Sequence, residues 1–268
     1  MTQQVKGDII SRNRIIFYFD FSDKNMTKED IFMGTRREVN QGLFLDQNQS
    51  PSQFLERRLS ILYGIDSLAI KALDLVREEM CAAKGFKRDN GSDYFNHCVD
   101  VANTLISFEI KDEDVICAAI LHDIIEDVEG YRRVTIEKMF NDNVARLVML
   151  VTKKEGVDYK LPESIKAYLK GIASDMNAAA IKTADRMHNM MTLDEKTFEA
   201  RYRKAMETKQ FYLPFFKQCR YMYPRYENLF YAARAEIEPL VFHIESFYEE
   251  LVRQQTEIET LKKKLEEK

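Results

Sequence analysis

From Gln53 to the end of the chain, apolar residues return every three or four positions, and this period restricts the fold more than any other feature. Side chains at that spacing share one face of an α-helix, so the chain must bury its apolar surface helix against helix. Leu55, Leu59, Leu62, Leu68, Leu75 and Val76 fit one long amphipathic helix that ends before Gly85. A polar loop over 86–93 is followed by a predicted helix over 94–108. Asp112 reads as the N-cap of a helix over 113–127, its carboxylate accepting from the free N–H groups of the first turn. Thr135 is read as the cap of another short helix, and Pro162 as a first-turn proline, where a missing N–H costs nothing. Residues 177–191 read as an Ala-rich buried helix. The remainder, 195–268, is helical with interruptions expected near Pro214, Pro224 and Pro239.

The first fifty residues differ. Residues 15–21 are aromatic and β-branched, which suits a strand, and 42–45 offers a partner for it. The turn-rich run over 48–52 marks a boundary. The expected architecture is therefore all-α: an N-terminal addition over 1–52, a helical domain over 53–239, and a C-terminal helix over 240–268. With 268 residues, 45% of them hydrophobic, one sizeable core can form.

Charge and cysteine use exclude several classes. A formal net charge of −4 is not that of a nucleic-acid-binding surface. The four cysteines include no C-x-x-C pair, so neither a zinc ribbon nor a disulfide framework is expected. No apolar run approaches the roughly 20 residues needed to span a bilayer. The first residues lack the apolar core of a signal peptide, so a cytoplasmic location is expected.

In the tail, Ile244, Leu251, Ile258 and Leu265 recur every seven residues, with Phe247 and Leu261 near the companion position and Gln254 interrupting it. Two arrangements cover such a stripe: a coiled-coil seam that makes a homodimer, or packing against the chain's own domain.

Three of the four histidines lie in acid-rich helical stretches, which prompts a metal-site reading. Residues 118–127, AAILHDIIED, set His122, Asp123, Glu126 and Asp127 into an otherwise apolar segment. Burying such groups costs several kcal/mol unless they are paired or bind a cation. On a continuous helix His122 and Asp123 point about 100° apart and can reach one ion, with Glu126 and Asp127 a turn beyond. Upstream, RDNGSDYFNH ends in His97 at a helix start; downstream, Asp185, His188, Asn189 and Thr192 form a polar stripe.

The order His, His-Asp, Asp resembles the HD phosphohydrolase superfamily, and the surrounding text resembles the hydrolase domain of RelA/SpoT homologues and the small alarmone hydrolases. RDNGSDYFNH, AAILHDIIED, TADRMHNMMTL and ETKQFYLP each match a family motif, together spanning roughly 73–239. The resemblance implies a helical bundle around one Mn²⁺ per chain, held by His97, His122, Asp123 and Asp185; Fe²⁺, Co²⁺ and Zn²⁺ also suit those ligands. It implies that Glu126 and Asp127 are the catalytic acidic pair. Arg88 would pack on the nucleobase, Asn189 and Thr192 would contact the nucleoside, and Tyr94 would shape the pocket. His188 is expected to have a structural role, and His243 to lie in the terminal helix.

The implied reaction is hydrolysis of the 3′-pyrophosphate of (p)ppGpp or (p)ppApp, with Arg88, Lys87 or Lys182 meeting phosphate charge. Alternatives are another HD-type nucleotide phosphohydrolase, including an NADPH 2′-phosphatase, and a nucleotide-binding regulatory module without turnover. Asp89, Asn90, Asp93 and Met191 depart from the family pattern and make the expected pocket less basic. No synthetase domain fits after Pro239, so a hydrolase-only protein is expected.

Overall fold

The computed structural model describes residues 50–88, 91–193 and 196–266. The strands expected over 15–21 and 42–45 lie outside the described residues, as does nearly all of the 1–52 segment. The described residues fall within one compact unit, 48–268.

Two helices replace the single one expected over 53–84. α1, Pro51–Tyr63, starts with a reciprocal capping box between Ser50 and Gln53. It ends at Gly64, whose φ of 91° a side chain rarely tolerates. Ser67 then caps α2, Leu68–Glu79, by accepting from the Ile70 N–H. The apolar period survives the break because both helices place Leu55, Leu59, Leu73 and Val76 in one core. That common face is why the sequence reads as continuous.

α3, Phe95–Ser107, and α4, Glu113–Ile120, follow the expected order. The Asp112 carboxylate does cap α4, accepting from the N–H groups of Asp114 and Val115. α4 stops at Ile120, however, and a short α5, Ile124–Asp127, resumes after a turn. α6, Arg133–Met139, contains Thr135 inside its first turn, so Thr135 is no cap. Asn141 caps α7, Asp142–Val151, while α8, Pro162–Ile172, opens on Pro162 as expected.

α9, Met176–Met191, is the hub, capped by Asp175 and packed against α3, α4 and α7. Its residues from Ala178 to Met187 are all buried, so no face remains for water. Lys182, Asp185 and Arg186 are buried with the alanines, and a buried charge needs a partner or a ligand.

α10, Phe198–Glu207, passes through a π-helical turn over Thr208–Tyr212 into α11, Leu213–Met222. α12 then runs unbroken over Glu227–Glu266, 40 residues, or about 60 Å. Pro214 lies in the first turn of α11 and Pro224 opens a short 3₁₀ turn, as a chain break there requires. Pro239 interrupts nothing. Leu229, Phe230, Ala233, Ile237 and Val241 are buried on both sides of it, and packing against α9 and α11 outweighs the lost hydrogen bond. The boundary expected at 239/240 thus falls inside one helix. His243 lies in α12, as expected.

The four cysteines are free. Among the described residues no helix is long and apolar enough to cross a membrane.

Candidate metal centre and pocket

The turn between α4 and α5 builds the centre. Leu121 (φ −95°, ψ 3°) leaves helical geometry, Asp123 (φ −101°, ψ −5°) stays in the right-handed region as the residue before α5, and the Ile124 N–H reaches back to the Leu121 carbonyl at 3.0 Å. On a continuous helix His122 and Asp123 would point about 100° apart. The turn instead brings His122 Nε2 within 3.1 Å of Asp123 Oδ2. Fully buried Leu121 anchors it from the core side.

His97, in the first turn of α3, and Asp185, in the middle of α9, complete the group. Nitrogen and oxygen atoms of His97, His122 and Asp123 lie within 4.8 Å of one another. Asp185 Oδ1 is 3.2 Å from His97 Nε2 and 3.9 Å from His122 Nε2. All four residues named from the sequence therefore converge.

Their protonation follows from burial set against charge. Burial pushes His97 down to about 4, more than the neighbouring Asp185 carboxylate lifts it. Burial also opposes a charge on His122, but the adjacent Asp123 carboxylate outweighs it and holds the imidazole well above its usual range. Asp123 and Asp185 resist the upward push of burial because His122 and Lys182, respectively, hold them ionised. Lys182 Nζ lies 2.6 Å from Asp185 Oδ2.

The donor set suits a divalent cation. His122 Nδ1–H donates to the Ala119 carbonyl at 2.8 Å, which aims Nε2 at the carboxylates. That Nε2 is buried and has no hydrogen-bond partner. An imidazole fixed by one nitrogen with the other unsatisfied among carboxylates is the arrangement metal ligands require. His97 is held similarly: its Nδ1 lies 2.7 Å from Nδ1 of His188, whose Nε2 is 3.1 Å from Asp100 Oδ2.

Beside the centre opens a pocket of about 160 Å³. Tyr94, Asp123, Glu126, Asp127, Asp185 and Asn189 line it. Glu126 is clasped by Lys153, which donates from its backbone N–H at 3.1 Å and its ammonium at 2.7 Å. Asp127 is pushed up to about 6, by burial and then by the carboxylates of Asp123 and Glu126.

The residues assigned to substrate are tied to the metal centre or to one another. Tyr94 Oη donates to Asp123 Oδ2 at 2.8 Å, and Asn189 Nδ2 donates to Asp185 Oδ1. Arg88 Nη2 donates to Thr192 Oγ1 at 2.7 Å across 104 positions of sequence, and its guanidinium lies 5.8 Å from the Tyr94 ring centre. Lys87 is exposed, in an antiparallel bridge with Asp93. Asp93, one of the departures from the family pattern, accepts from the Ala82 N–H at 2.6 Å and so secures the loop.

Lys153, Lys182, Arg186 and Lys204 line the same pocket. Of these, only Lys182 was anticipated. Arg186 stacks 3.5 Å over Tyr212 and pairs with Glu207, both of which lie in the ETKQFYLP stretch that matched a family motif without a role. Lys204 is lowered to about 8, first by the Arg186 charge and then by burial. Nothing local in sequence marks Lys153 or Lys204: Lys153 follows α7, which packs on α9, and Lys204 lies in α10, whose last residue, Glu207, pairs with Arg186 of α9.

A helical bundle with two imidazoles and two carboxylates gathered around a buried hub is an HD-type arrangement. The chain belongs to the HD domain family, whose profile matches residues 72–218.

Within that family its relatives are proteins of alarmone metabolism. Over 133 residues it is 35% identical to the GTP pyrophosphokinase rsh of Brucella abortus, covering 48% of this chain and 18% of that protein. It is 30% identical over 191 residues to a probable guanosine-3′,5′-bis(diphosphate) 3′-pyrophosphohydrolase of Synechocystis, covering 69% of this chain and 22% of the relative. The bifunctional (p)ppGpp synthase/hydrolase SpoT of Escherichia coli is 33% identical over 138 residues, 50% of this chain and 19% of SpoT. The chain spans about a fifth of the length of these curated relatives. A solved structure described as a metazoan ortholog of SpoT that hydrolyses ppGpp shares the fold, with a TM-score of 0.54 at 24% identity, covering 64% of this chain and 94% of that one.

Proposed function

We propose that this chain hydrolyses the 3′-pyrophosphate of an alarmone nucleotide, (p)ppGpp or (p)ppApp, releasing pyrophosphate and leaving GDP or GTP, or the adenine equivalents. The observation that carries this reading is the pocket itself. It is lined by Asp123 and Asp185 of the metal centre, by Glu126 and Asp127, and by four cations, Lys153, Lys182, Arg186 and Lys204. Such a cleft takes a ligand with several negative charges at one end. The printed functions of the Synechocystis and Escherichia coli relatives name one, a guanosine bis(diphosphate).

His97, His122, Asp123 and Asp185 would hold a divalent cation, which we take to be Mn²⁺. When bound, it supplies Lewis acidity that lowers the pKa of water and screens phosphoryl charge. The chain's own groups do the rest. Asp127, with a carboxyl near 6, accepts the proton of the attacking water close to neutral pH. Glu126, immobilised by Lys153, orients that water by accepting a hydrogen bond from it. Charge growing on the phosphoryl oxygens is met by Lys153, Lys182, Arg186 and Lys204, which already line the pocket before reaction. Tyr94 and Asn189 hold the two carboxylates of the centre, and the Arg88–Thr192 pair lies beside Tyr94 where a base can stack on the guanidinium.

The test is turnover. Purified protein with Mn²⁺ is incubated with ppGpp, pppGpp, ppApp, NADPH and ordinary nucleoside triphosphates, and the products are separated by anion exchange. Pyrophosphate with GDP, GTP or an adenine counterpart is expected; release of inorganic phosphate from NADPH alone, or no turnover at all, overturns the proposal.

A further inference from the structure

α3 and α9 cross so that each presents a histidine and an aspartate three residues apart, in opposite order: His97 and Asp100 on α3, Asp185 and His188 on α9. Two cross-helix pairs result, His97–Asp185 at 3.2 Å and His188–Asp100 at 3.1 Å. Between them the two imidazoles meet, Nδ1 to Nδ1, at 2.7 Å. We propose that Asp100 and His188 are positioning residues that hold His97 in the one tautomer able to bind a divalent cation. The proposal rests on the metal-centre reading above.

Two ring nitrogens at that distance share a single hydrogen, so one donates and the other accepts. The Asp100 carboxylate accepts from the His188 Nε2–H, which leaves the Nδ1 of His188 to accept from His97. His97 must then donate from Nδ1. A ligating imidazole carries one ring proton, so Nε2 of His97 is left bare, facing Asp123 and Asp185. Without the acceptor on His188, the His97 proton either stays at Nδ1 buried and unpaired or moves to Nε2 and blocks the ligand atom. Both outcomes weaken metal binding. His122 needs no such chain, because a backbone carbonyl, that of Ala119, sets its tautomer. His97 is thus the imidazole whose state depends on side chains.

Mn²⁺ affinity of the full chain, read by titration calorimetry or by loss of the free-ion EPR signal, tests this independently of turnover. Circular dichroism in EDTA checks the fold. His188→Leu should raise the Mn²⁺ dissociation constant roughly 10- to 100-fold, the range for removing a partner behind a metal ligand. His188→Gln, whose Oε1 can accept from His97, should recover most of that loss. Asp100→Leu should have a smaller effect, since Asp100 is partly exposed, and should add nothing in the His188→Leu background. Should His188→Leu not fold, Asp100→Leu against Asp100→Asn makes the same comparison, because the amide oxygen still accepts. Wild-type affinity in His188→Leu, or equal loss in the Leu and Gln variants, overturns the proposal. A folded wild type that takes up no Mn²⁺ sinks the metal-centre reading with it. A wild type that binds, beside a His122→Ala that does not and a His188→Leu that binds equally well, sinks only the tautomer relay.

Discussion

Lys153 grips Glu126 twice, through its backbone N–H at 3.1 Å and its ammonium at 2.7 Å, and so separates two neighbouring carboxylates by task. Glu126 is tethered and its charge is met, whereas burial and like charges push Asp127 up to about 6. Asp127 is the better proton acceptor near neutrality. Asp127→Asn should keep Mn²⁺ and lose about 10²-fold or more in turnover, because an amide takes no proton. Glu126→Gln should also keep the metal and lose turnover, but by less. Calorimetry beside steady-state kinetics checks both; loss of metal in either variant makes that residue a ligand instead.

The same carboxyl sets a pH dependence. Asp127 has a folded pKa above the ordinary 3.8, so its contribution to stability is full below that value and is lost as pH rises through about 6. In EDTA, the thermal midpoint of wild type should therefore fall relative to Asp127→Asn as pH rises from about 4 to about 6, and stay level above that. A gap between the two proteins that does not change with pH would contradict the assigned environment.

His122→Ala and Asp123→Ala should each abolish bound metal and activity while the chain stays helical. Each removes one member of a charge-balanced buried group and leaves the others unpaired. Metal analysis after dialysis, with circular dichroism as control, decides it; full occupancy with normal turnover in either variant rejects the site.

Lys182 and Asp185 form a buried ion pair at 2.6 Å beside the centre. Lys182→Met leaves the aspartate with less compensation, and breaking such a pair costs about 3 kcal/mol. Urea unfolding in EDTA should show that loss. Excess Mn²⁺ should shrink it, because a bound cation also balances Asp185. A penalty that is the same with and without metal would mean that Asp185 is not a ligand.

The tail carries a prediction about assembly. α12 packs against α10 as far as Tyr248, which stacks 3.8 Å from Tyr202, but Leu251, Ile258 and Leu265 beyond it are 38%, 52% and 72% exposed. An unsupported helix of that length is marginal in water, and its seven-residue stripe suits a second copy. Light scattering should give a dimer mass for the full chain and a monomer mass for a version cut after Glu249, which keeps the tyrosine stack. Monomer mass for both excludes the coiled-coil seam.

Much of this protein is determined locally, and those parts were readable in the sequence. The Asp112 cap, the first-turn Pro162 and the buried Ala-rich hub each depend on residues a few positions apart. Helical period and side-chain chemistry act over that range. The widely spaced set His97, His122, Asp123 and Asp185 was readable instead through the resemblance of its motifs to a family. Tertiary packing decided the rest. It broke the predicted 113–127 helix at Leu121, so that His122 and Asp123 turn toward one point. It carried α12 through Pro239, because apolar burial on both sides outweighs one missing hydrogen bond. It also brought Lys153 and Lys204 to the pocket and set His188 against His97. A lysine on a helix surface looks the same in sequence whether it faces water or a buried carboxylate. Only the burial of α9 among its neighbours, which leaves every charge on it in need of a partner, distinguishes the two.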